Sequence, residues 1–316
     1  MKILITGSNG FIGKHMVSSL IRDKNISLVV SSRKHLKSLE GKAKQFISPS
    51  IDSSTNWSEA LEGVDVVIHL IGVTHNNDRK DSESNYYETN VNSSITLATQ
   101  AAESGVKRFI YLSSIKVNGE VTKEDKTFHA GDLPNPLDIY GKTKLGAESS
   151  LRKVAQKSGL ELVIIRPTLV YGPGVRGNFL QLMKLFKLRV PLPFASLTNK
   201  RRILSINNLV DFIRVCVKHP SAKDEVFLVS DSKPISVKDL IKDLSKLQKR
   251  HILFFPFPRF FLSLIFNLIR KKEYSLKLLG SLEVNIQKNQ ELLGWLPPQS
   301  TDEGLKEATR NFLENE

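Results

Sequence analysis

The sequence predicts an α/β protein in which a doubly wound parallel sheet is joined to a smaller, mostly helical C-terminal lobe. Three observations support this fold class: short apolar runs alternate with helical stretches, the runs are nearly unbroken Val, Ile and Leu, and three glycines follow the first run. Strands that alternate with helices form right-handed βαβ units and a parallel sheet. Unbroken apolar strands are expected where helices cover both faces of that sheet.

Five apolar runs are the expected strands: Ile3 to Ile5, Ser27 to Val30, Val64 to Leu70, Phe109 to Leu112 and Leu162 to Ile165. A sixth run, Glu225 to Val229, follows a helical pattern at 208–217. We therefore expect the chain to return to the sheet domain at this point. We therefore expect one domain formed by residues 1–170 with about 203–230, and a second lobe formed by about 171–202 with 231–316.

Length and composition exclude several classes of protein. The chain has 316 residues, of which 40% are hydrophobic and 25% charged, as in an ordinary globular protein. Its one cysteine, Cys216, leaves no partner for a disulfide and no Cys-rich zinc site, so we expect a reducing compartment and no bound metal. No apolar segment near residue 1 has the length of a secretory signal, and the expected location is cytoplasmic.

The charge balance indicates an anionic partner, because 46 Lys and Arg against 32 Asp and Glu give a net charge of +14. The basic residues are scattered, and no helix-turn-helix, zinc-finger or RNA-recognition pattern accompanies them. We expect a phosphorylated small molecule or a phosphate-bearing cofactor, and no nucleic acid.

The most apolar stretch of the chain runs from Ile252 to Ile269 and is followed by three basic residues, 270–272. Pro256, Pro258 and Arg259 interrupt it, which argues against a membrane-spanning helix of about 20 apolar residues. We expect its phenylalanines to be mostly core of the smaller lobe, and peripheral contact with a membrane is the less favoured alternative. They are Phe254, Phe255, Phe257, Phe260 and Phe261.

Gly7, Gly10 and Gly13 stand where the first strand meets the first helix. Gly7 permits a tight turn, Gly10 lets the backbone approach a pyrophosphate, and Gly13 allows the helix to pack closely on the strand. The helix N-terminus then offers N–H groups and a partial positive charge to phosphates. The spacing GxxGxxG at this place predicts a dinucleotide-binding turn.

The end of the second strand indicates which dinucleotide binds. About 20 residues beyond the glycines, a carboxylate would bind the ribose 2′-hydroxyl of NAD, whereas an Arg suits the 2′-phosphate of NADP. Arg33 occupies this place, in the run Ser31-Ser32-Arg33-Lys34. We expect NADP, and the alternative is that Arg33 is a solvated surface residue.

Tyr140 and Lys144 lie one helical turn apart and therefore share a face. An adjacent ammonium favours the phenolate of a tyrosine whose pKa is otherwise near 10, so such a tyrosine can carry a proton. Ser113 and Ser114 follow the fourth expected strand, at the carboxyl edge where a doubly wound sheet binds its ligands.

With these motifs the chain resembles the extended short-chain dehydrogenase/reductase family, and within it the sugar-nucleotide epimerases and reductases. The resemblance covers nearly the whole chain and extends to a branch that acts on UDP-N-acetylhexosamines and their 4-keto-6-deoxy derivatives in bacterial surface-polysaccharide synthesis. The motifs that carry it are Gly7-x-x-Gly10-x-x-Gly13, Val66 to Leu70, Thr89-Asn90-Val91, Leu112-Ser113-Ser114, Ser113 to Glu120, Tyr140-x-x-x-Lys144, Arg166 to Gly174 and Leu292 to Pro298.

The resemblance implies three catalytic residues. Tyr140 exchanges a proton with the sugar C4 oxygen, Ser114 hydrogen-bonds the same oxygen, and Lys144 holds the nicotinamide ribose while lowering the pKa of the tyrosine. Ser114 is matched rather than Ser113 because the family's serine lies five residues before the glycine that Gly119 matches.

The resemblance also implies which residues bind the cofactor and the substrate. His69 and Trp57 are interpreted as packing residues. The expected cofactor-binding residues are Gly7, Asn9, Gly10, Phe11, Ile12, Gly13, Arg33, Ile51, Leu70, Ile71, Gly72, Asn90, Tyr140, Lys144 and Pro167. The expected substrate-binding residues are Ser114, Lys116, Asn178, Leu192, Arg201 and Arg202, with the two arginines at the diphosphate.

Two reactions share such a site. We expect a reductase that uses NADPH to reduce the C4 keto group of a UDP-4-keto-6-deoxy-N-acetylhexosamine in O-antigen or capsule synthesis. The alternative is a UDP-glucose or UDP-N-acetylglucosamine 4-epimerase with tightly bound NAD. A remote alternative is a catalytically silent NADP-binding regulatory protein. A homodimer is compatible with each of these.

Overall fold

A computed structural model describes residues 1–74, 83–123, 125–185, 191–268 and 272–315. The strands in this part of the chain are β1 (Lys2–Thr6), β2 (Ser27–Ser32), β3 (Lys44–Ile47), β4 (Val66–His69), β5 (Arg108–Leu112), β6 (Glu161–Pro167), β7 (Leu169–Tyr171), β8 (Ile203–Ser205) and β9 (Val226–Val229). Each expected apolar run lies in one of these strands, to within two residues at either end.

Seven of the strands form one parallel sheet in the order β3-β2-β1-β4-β5-β6-β9. The order reverses between β1 and β4, so the sheet is doubly wound in the Rossmann manner and the predicted fold class is confirmed. The apolar runs do not include β3, because this edge strand is a partly exposed Lys-Gln-Phe-Ile. A separate parallel pair joins β7 to β8.

The helices connect the strands and build the C-terminal region. They are α1 (Phe11–Leu20), α2 (Ser58–Leu61), α3 (Glu83–Tyr87), α4 (Ser93–Glu103), α5 (Ile139–Ser158), α6 (Gly177–Leu185), α7 (Ile206–Lys218), α8 (Val237–Leu247), α9 (Arg259–Leu268), α10 (Lys272–Leu279), α11 (Gln287–Leu293) and α12 (Thr301–Glu314). A π-helical stretch, Glu88–Asn92, joins α3 to α4.

Hydrophobic clusters cover both faces of the sheet. Alternate residues of β1 divide between them, because Ile3 and Ile5 join one cluster while Leu4 joins the other. Trp57 is fully buried in the second cluster, and His69 is fully buried between two hydroxyls, with Nδ1 2.7 Å from Thr6 Oγ1 and Nε2 2.9 Å from Ser94 Oγ. Both residues therefore pack as expected.

A third cluster lies between α6, α8 and α12 and includes Tyr171, Phe179 and Phe312. Strand β9 returns to the main sheet beside β6, and α8 follows it into this cluster. The limits of the two domains stay a prediction.

The structure corrects the expectation for the apolar stretch. Phe254 and Phe257 pack partly buried against the third cluster. Phe255, Phe260 and Phe261 are 41%, 73% and 51% exposed, so they are not core. The reason is that α9 turns toward the protein with Leu262, which is 5% exposed, and leaves the neighbouring phenylalanines outside. Residues 269–271, at the end of the stretch, lie outside the described residues.

No helix in the described part of the chain is long and apolar enough to cross a membrane.

A matched pair of phenylalanine truncations checks this distribution of burial. Phe212 is fully buried and its ring centroid lies 4.8 Å from that of Trp295, so Phe212→Ala should lower the free energy of unfolding by about 3–5 kcal/mol. Phe260→Ala should change it by no more than about 0.5 kcal/mol, as at other exposed positions. Urea unfolding of the two variants measures both values, and equal losses would contradict this structure.

Candidate active site

The turn after β1 has the geometry that the three glycines predict. Gly7 has a φ of +71°, and a Cβ built there would lie 3.1 Å from the carbonyl carbon of Leu70. A Cβ on Gly13 would lie 2.1 Å from Gly7 O, which no side chain could tolerate. The first helix therefore starts directly against the end of the first strand, as a dinucleotide-binding turn requires.

The N-terminus of α1 is open. Its N-cap is Gly10, and no side chain caps the helix, so the first N–H groups, at Phe11 and Ile12, keep their hydrogen-bonding capacity. Asn9 and Gly10 are exposed beside them. The glycine cradle and the open helix end together fit the pyrophosphate of a nicotinamide dinucleotide.

The segment after β4 meets this turn at the switch point of the sheet. Buried Asn90 fastens it, because its Oδ1 accepts a hydrogen bond from Val73 N at 2.8 Å and its Nδ2 donates to Thr143 Oγ1 at 3.0 Å. A Cβ on Gly72 would lie 3.0 Å from Lys144 Nζ. The predicted cofactor residues Leu70, Ile71, Gly72 and Asn90 are thus brought together beside α5.

Ser114, Tyr140 and Lys144 are brought together at the carboxyl edge of β5. The side chains of Ser114 and Tyr140 are hydrogen-bonded. Lys144 is 3% exposed, its Nζ donates to Leu112 O at 2.9 Å, and the same atom lies 5.9 Å from the centre of the Tyr140 ring. The structure therefore places Ser114, and not Ser113, beside the tyrosine.

Burial governs the titration of this cluster. It lowers the pKa of Lys144 to about 7, although the nearby Glu148 carboxylate acts in the opposite direction. Burial also raises the pKa of Tyr140 above its usual value, while the hydrogen bond to Ser114 lowers it. The expectation that Lys144 lowers the tyrosine pKa is not confirmed, since a lysine with a pKa near 7 carries only part of a positive charge at neutral pH.

A buried polar network beneath the cluster was missed by sequence reasoning. Glu148 accepts hydrogen bonds from Ser113 Oγ at 2.5 Å, from Arg166 Nε at 2.9 Å and from Arg166 Nη2 at 2.5 Å. Arg166 Nη1 also donates to Asn118 Oδ1 at 2.9 Å. The signal that could have indicated it is spacing, because Glu148 follows Lys144 by four residues on the same face of α5.

Lys116 lies at the open side of the cluster. Its ammonium pairs with Asp138 and, at 3.2 Å, with Glu120, and it lies 5.9 Å from the centre of the Tyr140 ring. Asp138 also caps α5 by accepting from Gly141 N at 2.7 Å. The predicted substrate residue Lys116 is therefore next to Tyr140, held by carboxylates that sequence reasoning did not include.

The remaining predicted substrate residues lie between β7 and β8. Asn178 is exposed at the start of α6, and Leu192 is buried beside Phe254. Arg201 Nη1 donates to Gly280 O at 2.9 Å, and burial lowers its pKa to about 10. Arg202 Nη1 donates to Ser232 O at 2.6 Å, whereas its buried Nε has no hydrogen-bond partner among the described residues.

Three further predicted cofactor residues follow β2, follow β3 or end β6. Arg33 is exposed directly after β2, Ile51 packs partly buried against the second hydrophobic cluster, and Pro167 is buried at the end of β6. None of these placements distinguishes NAD from NADP.

A glycine turn at the switch point, with a serine, a tyrosine and a lysine at the adjoining strand end, defines a short-chain dehydrogenase/reductase. The family model described as "NAD dependent epimerase/dehydratase family" matches residues 3–230. The chain belongs to this family, in the extended branch that acts on sugar nucleotides, and it is an enzyme.

The chain is similar in sequence to two proteins that are named as 4-epimerases. The chain is 42% identical over 315 residues to a "UDP-glucose 4-epimerase" of Vibrio cholerae, covering 99% of this chain and 95% of the relative. It is 28% identical over 265 residues to an "N-acetyl-alpha-D-glucosaminyl-diphospho-ditrans,octacis-undecaprenol 4-epimerase" of Escherichia coli O157:H7, covering 81% of this chain and 76% of the relative.

Solved structures share the fold over the whole chain. A UDP-glucuronic acid 4-epimerase from Bacillus cereus in complex with NAD superimposes with a TM-score of 0.81 at 22% identity, covering 100% of this chain and 99% of the other. A UDP-glucose 4-epimerase from Thermotoga maritima with UDP-glucose has a TM-score of 0.78 at 22% identity, with the same coverage.

The pKa of Lys144 predicts a pH dependence of stability. The folded protein releases the Lys144 proton near pH 7, whereas the unfolded chain keeps it to about 10.5. The unfolded state therefore binds more protons between these values, so the cost that burying Lys144 adds to folding decreases as the pH rises.

Melting temperatures of the wild type and Lys144→Met measure this effect. The difference between them should move in favour of the wild type from pH 7 to pH 9. Lys142→Met, which removes an exposed lysine from the same helix, is the matched control. A difference that stays constant over this range would show that Lys144 is charged in the folded protein.

Proposed function

We propose that this enzyme interconverts the C4 epimers of a UDP-sugar, with UDP-glucose or UDP-N-acetylglucosamine as substrate and NAD as the cofactor that stays bound. The observation that carries the proposal is the 42% identity to a UDP-glucose 4-epimerase over 99% of the chain. The grouping of Ser114, Tyr140 and Lys144 at one strand end supports it, because an epimerase needs a proton carrier beside the nicotinamide.

Tyr140 is the proposed proton carrier at the C4 oxygen. It accepts the proton of the C4 hydroxyl as the 4-keto sugar forms, and it returns the proton when the opposite epimer is made. When bound, the dinucleotide would supply a reversible acceptor for the hydride on C4, and return of that hydride to the opposite face of the 4-keto sugar gives the epimer. Ser114 assists in two ways, since its hydroxyl can bind the C4 oxygen and its hydrogen bond lowers the pKa of Tyr140.

Lys144 is proposed to hold the nicotinamide ribose. Its ammonium lies beside the segment that Asn90 fastens, and Gly72 leaves the space that it occupies. A lysine with a pKa near 7 can accept or release a proton at neutral pH, so it can also pass protons between Tyr140 and the ribose hydroxyls. The glycine turn is proposed to bind the pyrophosphate of the same dinucleotide.

The sugar-nucleotide diphosphate is proposed to bind beside β8. Arg202 supports this placement, because its buried Nε is a charged donor without a hydrogen-bond partner in the described part of the chain. An anionic oxygen would satisfy such a donor, as buried polar groups require. Arg201 adds positive charge one residue away.

The reductase expected from the sequence is the less supported of the two reactions. It depended on Arg33 as a partner for the 2′-phosphate of NADP, whereas the 42% identity to a UDP-glucose 4-epimerase favours the epimerase. NAD is proposed as the dinucleotide because the solved UDP-glucuronic acid 4-epimerase from Bacillus cereus, which shares this fold, is in complex with NAD. The nucleotide extracted from the purified protein distinguishes them: tightly held NAD supports the epimerase, whereas an empty protein that requires added NADPH overturns it.

Loss of the Tyr140 hydroxyl tests the proton transfer. With UDP-glucose and with UDP-N-acetylglucosamine, and without added nicotinamide, the wild type should form the C4 epimer, and Tyr140→Phe should reduce kcat by about 100-fold or more. NAD should still be retained, because the ring and Lys144 remain.

Tyr87→Phe is the control, since this tyrosine on α3 is 44% exposed. If Tyr140→Phe keeps near wild-type turnover, another group transfers the proton. If the wild type converts neither UDP-sugar but reduces a UDP-4-keto sugar with NADPH, the proposed epimerase is wrong and the reductase is correct.

A further inference from the structure

The outer face of α9 is apolar and exposed. Phe260 and Leu268 are each 73% exposed, Phe261 is 51% exposed and Leu264 is 44% exposed. Their spacing of three, four and seven residues places them on one side of the helix. The opposite side packs on the protein, because Leu262 is buried and Ser263 Oγ lies 3.4 Å from Ser275 Oγ of α10.

This face continues onto the segment that precedes the helix. Leu253 and Phe255 point outward, at 73% and 41% exposure, while Phe254 and Phe257 between and after them face the core. Ring contacts connect the two parts, with centroid distances of 6.3 Å for Phe255–Phe257 and Phe257–Phe261. We call the exposed set of Leu253, Phe255, Phe260, Phe261, Leu264 and Leu268 the α9 patch.

The charge within the sequence segment that holds the α9 patch has one sign. Between positions 249 and 272 the sequence has no Asp or Glu and six basic residues, which are Lys249, Arg250, Arg259, Arg270, Lys271 and Lys272. Lys249 is exposed just before the patch, and the last three follow Leu268 after a single residue. Apolar side chains bordered by cationic ones are the chemistry with which a peripheral protein binds an anionic bilayer.

We propose that the α9 patch docks this protein on the surface of a membrane that contains anionic lipid. The phenylalanine and leucine side chains enter the boundary between headgroups and acyl chains, and the positive charge of this segment of the sequence attracts the anionic lipid. A second copy of the chain is the poorer partner for this face, because two patches bordered by basic residues, on chains of net charge +14, repel each other. The proposal does not depend on which reaction the enzyme catalyses.

Sedimentation with lipid vesicles tests the docking. Wild-type protein should pellet with vesicles of equal parts phosphatidylglycerol and phosphatidylcholine, and less with pure phosphatidylcholine. Added salt should weaken the binding to the anionic vesicles because it screens the basic residues. The double variant Phe260→Ser with Leu268→Ser should bind these vesicles about tenfold more weakly or worse.

Two controls separate docking from loss of fold and from self-association. The melting temperature of the double variant should match that of the wild type, and Leu133→Ser, which removes a 91% exposed leucine outside the patch, should keep full vesicle binding. Wild-type protein that stays in the supernatant, or a double variant that pellets equally, overturns the proposal. So does a wild-type dimer that the double variant dissociates without any vesicle binding, which would identify the patch as an interface between copies.

Discussion

The buried ion pair between Glu148 and Arg166 fastens helix α5 to the sheet, and the candidate site depends on that attachment. Both side chains are at most 4% exposed, and the two hydrogen bonds between them join α5 to β6. Removing one partner of such a pair leaves a charge buried without compensation, which costs about 3–5 kcal/mol. This contact holds α5 against the sheet together with two contacts nearer the site, from Lys144 Nζ to Leu112 O and from Asn90 Nδ2 to Thr143 Oγ1.

The helical period of α5 places the side chains of the candidate site on one face of the helix. Residues four apart share a face, so Tyr140, Lys144 and Glu148 form one row from the open edge of the site to its buried base. Burial increases along this row: the tyrosine is partly accessible, the lysine has lost enough water for its pKa to fall to about 7, and the glutamate is sealed beneath. This gradient suits a tyrosine that exchanges protons with a ligand. It also suits a lysine that carries only part of its positive charge at neutral pH.

Much of this arrangement was predictable from local patterns. The strands coincide with apolar runs of the sequence. The grouping of the glycine turn with Ser114, Tyr140 and Lys144 is expected because a doubly wound sheet binds its ligands at the carboxyl ends of its strands. The spacing from Lys144 indicates the face of α5 on which Glu148 lies, but no local pattern indicates its partners Ser113 and Arg166, which are 35 and 18 residues away. The exposure of Phe260 was also missed, since an apolar run does not reveal which side of a helix lacks a partner.

In the proposed reaction, the hydrogen on C4 leaves and returns within one active site. UDP-glucose that carries deuterium at C4 tests it most directly, with the product analysed by mass spectrometry and NMR and with no nicotinamide added. We expect UDP-galactose that retains the deuterium at C4. Product that has lost the label, or no product until NADPH is supplied, would contradict it.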